Sequence, residues 1–176
     1  IGIGPRKNKT FKVECPTTYL STISFQNGSV IRLTLSFDVI AHQRNHIELY
    51  GDKGSIIVPD PNMFGGSVYT CKKLGDPWKE HKTNKMPLGK INIRSQSSRA
   101  NESSTNSNYR GAGLAEMAYS IQNKKINKCN GELSLHILDI IQSMMKACKT
   151  GKAQSIKTTC KKPQPFSLNE VKKILK

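Results

Sequence analysis

His46-Ile-Glu-Leu-Tyr-Gly-Asp-Lys-Gly-Ser-Ile-Ile-Val-Pro-Asp-Pro-Asn-Met-Phe-Gly-Gly66 holds two short apolar strands, Ile47–Tyr50 and Ser55–Val58, on either side of a tight Gly51-Asp52-Lys53-Gly54 turn. A double-proline exit at Pro59 and Pro61 follows, and then a Gly65-Gly66 hinge. The pattern predicts an antiparallel hairpin that leaves its second strand through a stiff, cornered loop.

Toward the N-terminus, Tyr19–Phe25 and Ser29–Val39 flank Asn27-Gly28, a pair that tolerates the positive φ angles of a type I′ hairpin turn. In the second of these strands Ile31, Leu33, Leu35, Phe37 and Val39 share one face, and Arg32, Thr34, Ser36 and Asp38 share the other. One face therefore needs an apolar cover, while the other can meet water or a polar partner. Phe11–Cys15 alternates and reads as a further strand, and residues 1–10 read as a flexible N-terminal segment.

Toward the C-terminus, Ser67–Lys73 is a strand, Leu74-Gly-Asp-Pro77 turns the chain, and Trp78–His81 returns. Ser95–Asn108 holds six Ser and three Asn, so residues 82–108 read as a mobile loop that cannot bury enough apolar surface to offset its ordering entropy. Leu114–Gln122 and Leu133–Cys148 carry apolar residues at helical spacing, and Gly151 ends the second helix. Ala153–Thr159 reads as a last strand. Ser167 and Glu170 have capping-box spacing at the start of a short closing helix that reaches Leu175. Many antiparallel strands followed by helices predict an α+β fold: a large open, mainly antiparallel β-sheet with helices packed on one face, residues 11–176 forming one domain.

Composition narrows the function classes. The chain begins at Ile1 with no secretory leader and reads as a fragment, with no apolar run of membrane-spanning length. Cys15, Cys71, Cys129, Cys148 and Cys160 are odd in number and none is paired at Cys-x-x-Cys spacing, which favours reduced, cytoplasmic thiols over a disulfide framework or zinc site. Asn8-Lys-Thr10, Asn27-Gly-Ser29 and Asn101-Glu-Ser103 fit the glycosylation pattern, which without a leader is not expected to be used. The net charge of +16 invites a nucleic-acid reading. Of the 28 basic residues, however, 22 are Lys, spread along the chain, and only six are Arg. Base recognition favours Arg forks and interleaved aromatics, so the expectation is a solvated Lys-rich surface and no nucleic-acid or membrane partner.

Chemistry-bearing motifs are few. Gly111-Ala-Gly113-Leu-Ala-Glu116 opens like a dinucleotide loop, but Glu116 replaces the third glycine and no strong strand precedes it. There is no Gly-x-Ser-x-Gly elbow, P-loop or His-Glu-x-x-His. His42 and His46 lie four apart in a strand end and loop, where that spacing does not make a metal pair, and they read as substrate-facing or solvent-facing. His136 reads as a packed or surface histidine, and His81 receives no role. Asp38 and Glu48 read as hairpin charges, since nothing fixes their separation for acid–base work. Arg110 stands at a helix entrance, where a guanidinium fork can bind a substrate carboxylate or hydroxyl.

Taken in order, Phe25–Gly28, Leu33–Val39, Ile47–Ser55, Val58–Asn62 with Phe64–Gly66, Arg110–Ala118, Ser134–Asp139 and Thr159–Pro163 resemble the C-terminal domain of the glucose-fructose oxidoreductase / inositol dehydrogenase / MocA (Gfo/Idh/MocA) family. The resemblance spans roughly residues 12–166. It implies a parent enzyme whose N-terminal Rossmann domain binds NAD or NADP. The C-terminal domain would present an open sheet, help to form the pocket for a sugar or polyol, and mediate a homodimer through that sheet.

The family's glycine-rich loop, its Glu-Lys-Pro motif and the acidic and His or Tyr motif of its first C-terminal-domain helix are absent from these residues, so no catalytic residue carries over. The expectation is an inactive substrate-binding and oligomerisation domain, with no cofactor bound by the fragment and with His42, His46 and Arg110 lining the pocket. The alternative is a stand-alone carbohydrate-binding or dimerisation module.

Overall fold

The computed structural model describes residues 2–3, 10–91 and 107–175. The chain divides into two compact units, Ile1–Gln43 and Arg44–Lys176.

In the first unit β1 (Gly2–Ile3) pairs antiparallel with β2 (Thr10–Phe11), and residues 4–9 of the expected flexible segment lie outside the described residues. The strand expected over Phe11–Cys15 is thus reduced to its first residue and Thr10. β3 (Thr18–Ser24) and β4 (Val30–Ser36) form the expected hairpin, with Tyr19 opposite Leu35, Ser21 opposite Leu33 and Ile23 opposite Ile31. Those pairs put the apolar side chains on one face, as the two-residue period requires.

The turn differs from the expected type I′ form. That form needs positive φ at both central residues, and here Gly28 has φ 85° while Asn27 does not share it. The loop is three residues long, closed by Phe25 N–H to Ser29 O at 2.9 Å and Gly28 N–H to Phe25 O at 3.0 Å. The Asn27 side chain accepts from Ser29 N–H at 3.0 Å, which holds it in the ordinary backbone region. At the open end, Thr17 and Thr18 hydroxyls donate to Asp38 at 2.6 Å each and hold its carboxyl below the usual aspartate range. Asp38 is therefore a clasp within the hairpin.

In the second unit β5 (Ile47–Gly51), β6 (Gly54–Val58), β7 (Ser67–Cys71) and β8 (Lys79–Lys82) form one antiparallel sheet in chain order. Register puts Ile47, Leu49, Ile56, Val58 and Val68 on one face, and Glu48, Tyr50, Ser55, Tyr69 and Glu80 on the other. The apolar face is partly open: Leu49 is 52% and Ile56 37% exposed, while Ile47, Val58 and Val68 are half-buried. On it, His81 Nε2 lies 2.9 Å from the Thr70 hydroxyl.

Among the described residues three helices follow, α1 (Ala112–Gln122), α2 (Gly131–Thr150) and α3 (Leu168–Ile174). The fold class is α+β, as expected. Asn130 caps α2 by accepting from Leu133 N–H, and Gly151 closes it at φ 64°. Ser167 and Glu170 form the expected capping box on α3.

α1 and α3 pack together around Glu116, a buried carboxylate that accepts from the Ser120 hydroxyl at 2.9 Å and from Lys128 N–H at 3.1 Å. Lys128 Nζ in turn donates to Gln164 O and Glu170, 3.0 and 3.2 Å away, and lies 5.0 Å over the Phe166 ring. The Ser167 N–H, then its hydroxyl, then Lys128 hold the Glu170 carboxyl down at about 2.

No ladder forms over Ala153–Thr159, which corrects the expected last strand. Extended apolar alternation does not say which donors a segment will find. Here Asp139 of α2 accepts from Lys157 N–H, Thr158 N–H and the Thr158 hydroxyl, each at 2.9 Å, and straps the segment to the helix. His136 Nδ1 reaches the same hydroxyl at 3.0 Å, which gives His136 a structural role. Among the described residues no helix is long and apolar enough to cross a membrane.

Candidate functional site

Leaving β6, Pro59 and Pro61 corner the chain, and the residues between and after them turn inward on themselves. Asp60 O accepts from Met63 N–H at 3.1 Å, and Asp60 Oδ1 accepts from Asn62 N–H at 2.8 Å. This Asx-type turn is what an Asp before Pro-Asn favours, because the short carboxylate mimics a backbone acceptor.

The turn collects two of the three sequence-predicted residues. His46, just before β5, sets Nε2 3.7 Å from Asp60 Oδ2. Arg110, just before α1, donates from Nη1 to Asn62 Oδ1 at 3.0 Å. His46 and Arg110, 64 residues apart in the chain, thus reach one three-residue turn. His42 lies in the first unit, exposed in the stretch after β4. Asp60 and Asn62 had no place among the sequence candidates. The signal for them was present in the alternation of proline with short polar acceptors over 59–62.

Main-chain hydrogen bonds brace the turn. Phe64 and Ser107 form an isolated antiparallel bridge, and the Phe64 and Tyr109 rings meet edge to face, 5.9 Å between centroids at 77°. Ser107, 1% exposed, donates its hydroxyl to Gly89 O at 2.8 Å, and Tyr109 OH donates to Lys90 O at 2.9 Å. Thr83 donates to Gly66 O at 2.6 Å. Met86 N–H to Thr83 O and Gly89 N–H to Met86 O fold residues 83–89 into two successive turns. The rest of the loop expected over 82–108, residues 92–106, lies outside the described residues. Between the Pro59–Gly66 loop and these turns lies an open cavity of about 300 Å³. Val58, Pro59, Pro61, Met63, Val68 and Met86 give it an aliphatic wall, and Asp60 and Thr83 are its polar members.

Chemically the cluster offers a carboxylate acceptor, an imidazole beside it and a guanidinium whose planar fork has five N–H donors. Those groups recognise hydroxyl or carboxylate oxygens. They do not make a metal centre: among the described residues no three His, Cys, Asp or Glu side chains gather as an ion requires. Nor does the Gly111–Glu116 stretch have the setting of a dinucleotide loop. α1 is entered from a bridge and a turn, every described ladder is antiparallel, and Glu116 at the third glycine's place is a buried partner of Lys128 N–H.

Residues 5–158 match the family model described as "Oxidoreductase family, C-terminal alpha/beta domain", the Gfo/Idh/MocA group. The chain belongs to that family. No curated protein and no solved structure matches it. As a Gfo/Idh/MocA C-terminal domain, the chain belongs to an oxidoreductase family. The antiparallel sheet, the cornered loop and the Arg110 helix entrance all fall within the matched residues.

Proposed function

We propose that this chain is the substrate-binding and oligomerisation domain of an NAD(P)-dependent sugar or polyol oxidoreductase, and that it does not turn over substrate by itself. His46 and Arg110 are the substrate-binding residues, with Asp60 and Asn62 as the acceptors that orient them. The observation that carries this reading is the Asp60–Asn62 turn: Asp60 lines the cavity and has the His46 imidazole 3.7 Å away, and Asn62, two residues on, holds the Arg110 guanidinium. A polyol presents hydroxyls that both donate and accept, and this set of groups can answer both roles. The cofactor, where bound, supplies the hydride, and the residues of this chain bind and orient the hydroxylated substrate.

The partly exposed apolar sheet face, with Leu49 and Ile56 open to solvent, supports homodimerisation, since exposed apolar patches are association surfaces. Five free thiols support a cytoplasmic setting. The test is titration of the 176-residue protein with glucose, myo-inositol and related polyols by NMR, beside an NAD(P)H assay with the same panel. Binding that weakens several-fold in Arg110→Ala and His46→Ala, with no turnover, is expected. Cofactor-dependent turnover by this chain, or binding indifferent to both substitutions, refutes the proposal.

A further inference from the structure

The cavity beside Asp60 is chemically unlike its rim. Its wall is aliphatic and thioether: Val58, Pro59, Pro61, Met63, Val68 and Met86. The polar groups near it already have partners. Thr83 gives its hydroxyl to Gly66 O, and Asp60 O, Thr83 O and Met86 O each accept a backbone N–H. Gly89 O is taken by Ser107. Asp60 directs one carboxylate oxygen to Asn62 N–H and the other toward His46. A fully hydroxylated ring placed inside would strand several of its hydroxyls, and each stranded hydroxyl is costly. The rim is built from Asp60, which lines the cavity, and from His46, Asn62 and Arg110, which are tied to Asp60 and its turn without lining the cavity; together they carry an imidazole, an amide and a guanidinium.

We infer that the site takes an amphiphilic ligand: a hydroxylated head held at the His46–Asp60–Asn62–Arg110 rim, with an aliphatic substituent lying in the cavity against Val58, Met63, Val68 and Met86. This rests on the reading of His46 and Arg110 as substrate-binding residues, and narrows it from polyols in general to polyol derivatives bearing an apolar group. The volume, about 300 Å³, lies at the low end for a ligand pocket and suits a short substituent. Two methionines in the wall suit an aliphatic group of no fixed shape, because the thioether chain is unbranched and adapts.

The test uses the whole chain with isotope-labelled methionine methyl groups. Four probes are titrated separately: D-glucose, myo-inositol, hexyl β-D-glucoside and hexanol. The inference expects the hexyl glucoside to bind at least about tenfold tighter than glucose and than hexanol, which burial of two methylenes already provides. It also expects the Met63 and Met86 methyl resonances to shift with the glucoside and not with glucose. Met86→Glu, at a position 60% exposed in the loop, then removes the glucoside's advantage, while Val68→Thr reduces it.

Glucose or inositol binding as tightly as the glucoside, with no shift at the methionines, overturns the inference and leaves the polyol-site proposal standing. Hexanol binding as tightly as the glucoside also overturns it, since the rim then contributes nothing. Failure of all four probes to bind in the millimolar range overturns both.

Discussion

Gly89→Ala is the sharpest perturbation of the site. A β-carbon there would stand 2.0 Å from the Thr83 carbonyl oxygen, 2.9 Å from its carbon and 3.3 Å from Met86 O. Real β-carbons essentially never come within 3.0 Å of such atoms, so the backbone of 83–89 must move by about an ångström or more. That movement endangers Gly89 N–H to Met86 O, Met86 N–H to Thr83 O and the Ser107 hydroxyl's bond to Gly89 O. Three bonds at about 1 kcal/mol each, with the buried Ser107 left short of a partner, give a loss of about 3–5 kcal/mol. Against total stabilities of about 5–15 kcal/mol, this is a large share.

Urea denaturation followed by circular dichroism measures the loss, and the methyl resonances of Met63 and Met86 report the cavity. Gly113→Ala is the control. Nothing lies within 4 Å of its added carbon, it sits inside α1, and it is expected to stabilise by up to about 1 kcal/mol. A Gly89→Ala protein within about 1 kcal/mol of wild type, with unchanged methionine resonances, would refute the account of the loop, since one hydrogen bond alone is worth that much.

Asp139→Ala releases the strap over Lys157 and Thr158, and hydrogen exchange at those two amides is expected to quicken by about tenfold or more, with Asp139→Asn intermediate. Unchanged exchange rates would remove Asp139 from that role. Acid should loosen the C-terminal packing. Glu170, held at about 2 against an ordinary 4.5, and Asp139, held below 3.8 first by Thr158 N–H, contribute stability that is complete above their ordinary values. That stability is lost as pH falls through those values toward the folded ones. The α3 resonances should therefore begin to shift below about pH 4.5 and not in the neutral range, and Glu170→Gln should flatten the profile. Light scattering at micromolar concentration should give twice the 19.6 kDa chain mass and fall to the monomer in Leu49→Lys; a wild-type monomer would count against dimerisation through the sheet.

The elements built by local rules were legible in the amino-acid order. The β5–β6 hairpin follows from apolar runs around Gly51-Asp52-Lys53-Gly54, α2 from its three-and-four spacing, and the α3 cap from Ser167 and Glu170. What escaped reading depends on partners distant in sequence. The 153–159 segment alternates like a strand, yet its donors at 157 and 158 go to a carboxylate 18 and 19 residues earlier. The Asn27-Gly28 turn misled because the pair suits two loops, and the Asn27 side chain selected the longer one. His46 and Arg110 were named for their places at an element's edge. Their meeting at Asp60 and Asn62 required the fold, because Arg110 and Asn62 are 48 residues apart.

The scaffold around the cavity is tied chiefly through peptide groups and small hydroxyls: Thr83 to Gly66, Ser107 to Gly89, Met86 to Thr83. Three of the side chains that line the cavity, Met63, Val68 and Met86, take no part in those ties. Architecture and selectivity are therefore written in separate atoms. If the cavity takes a substrate as proposed, substitutions at these three positions can change what it admits while the frame keeps its shape.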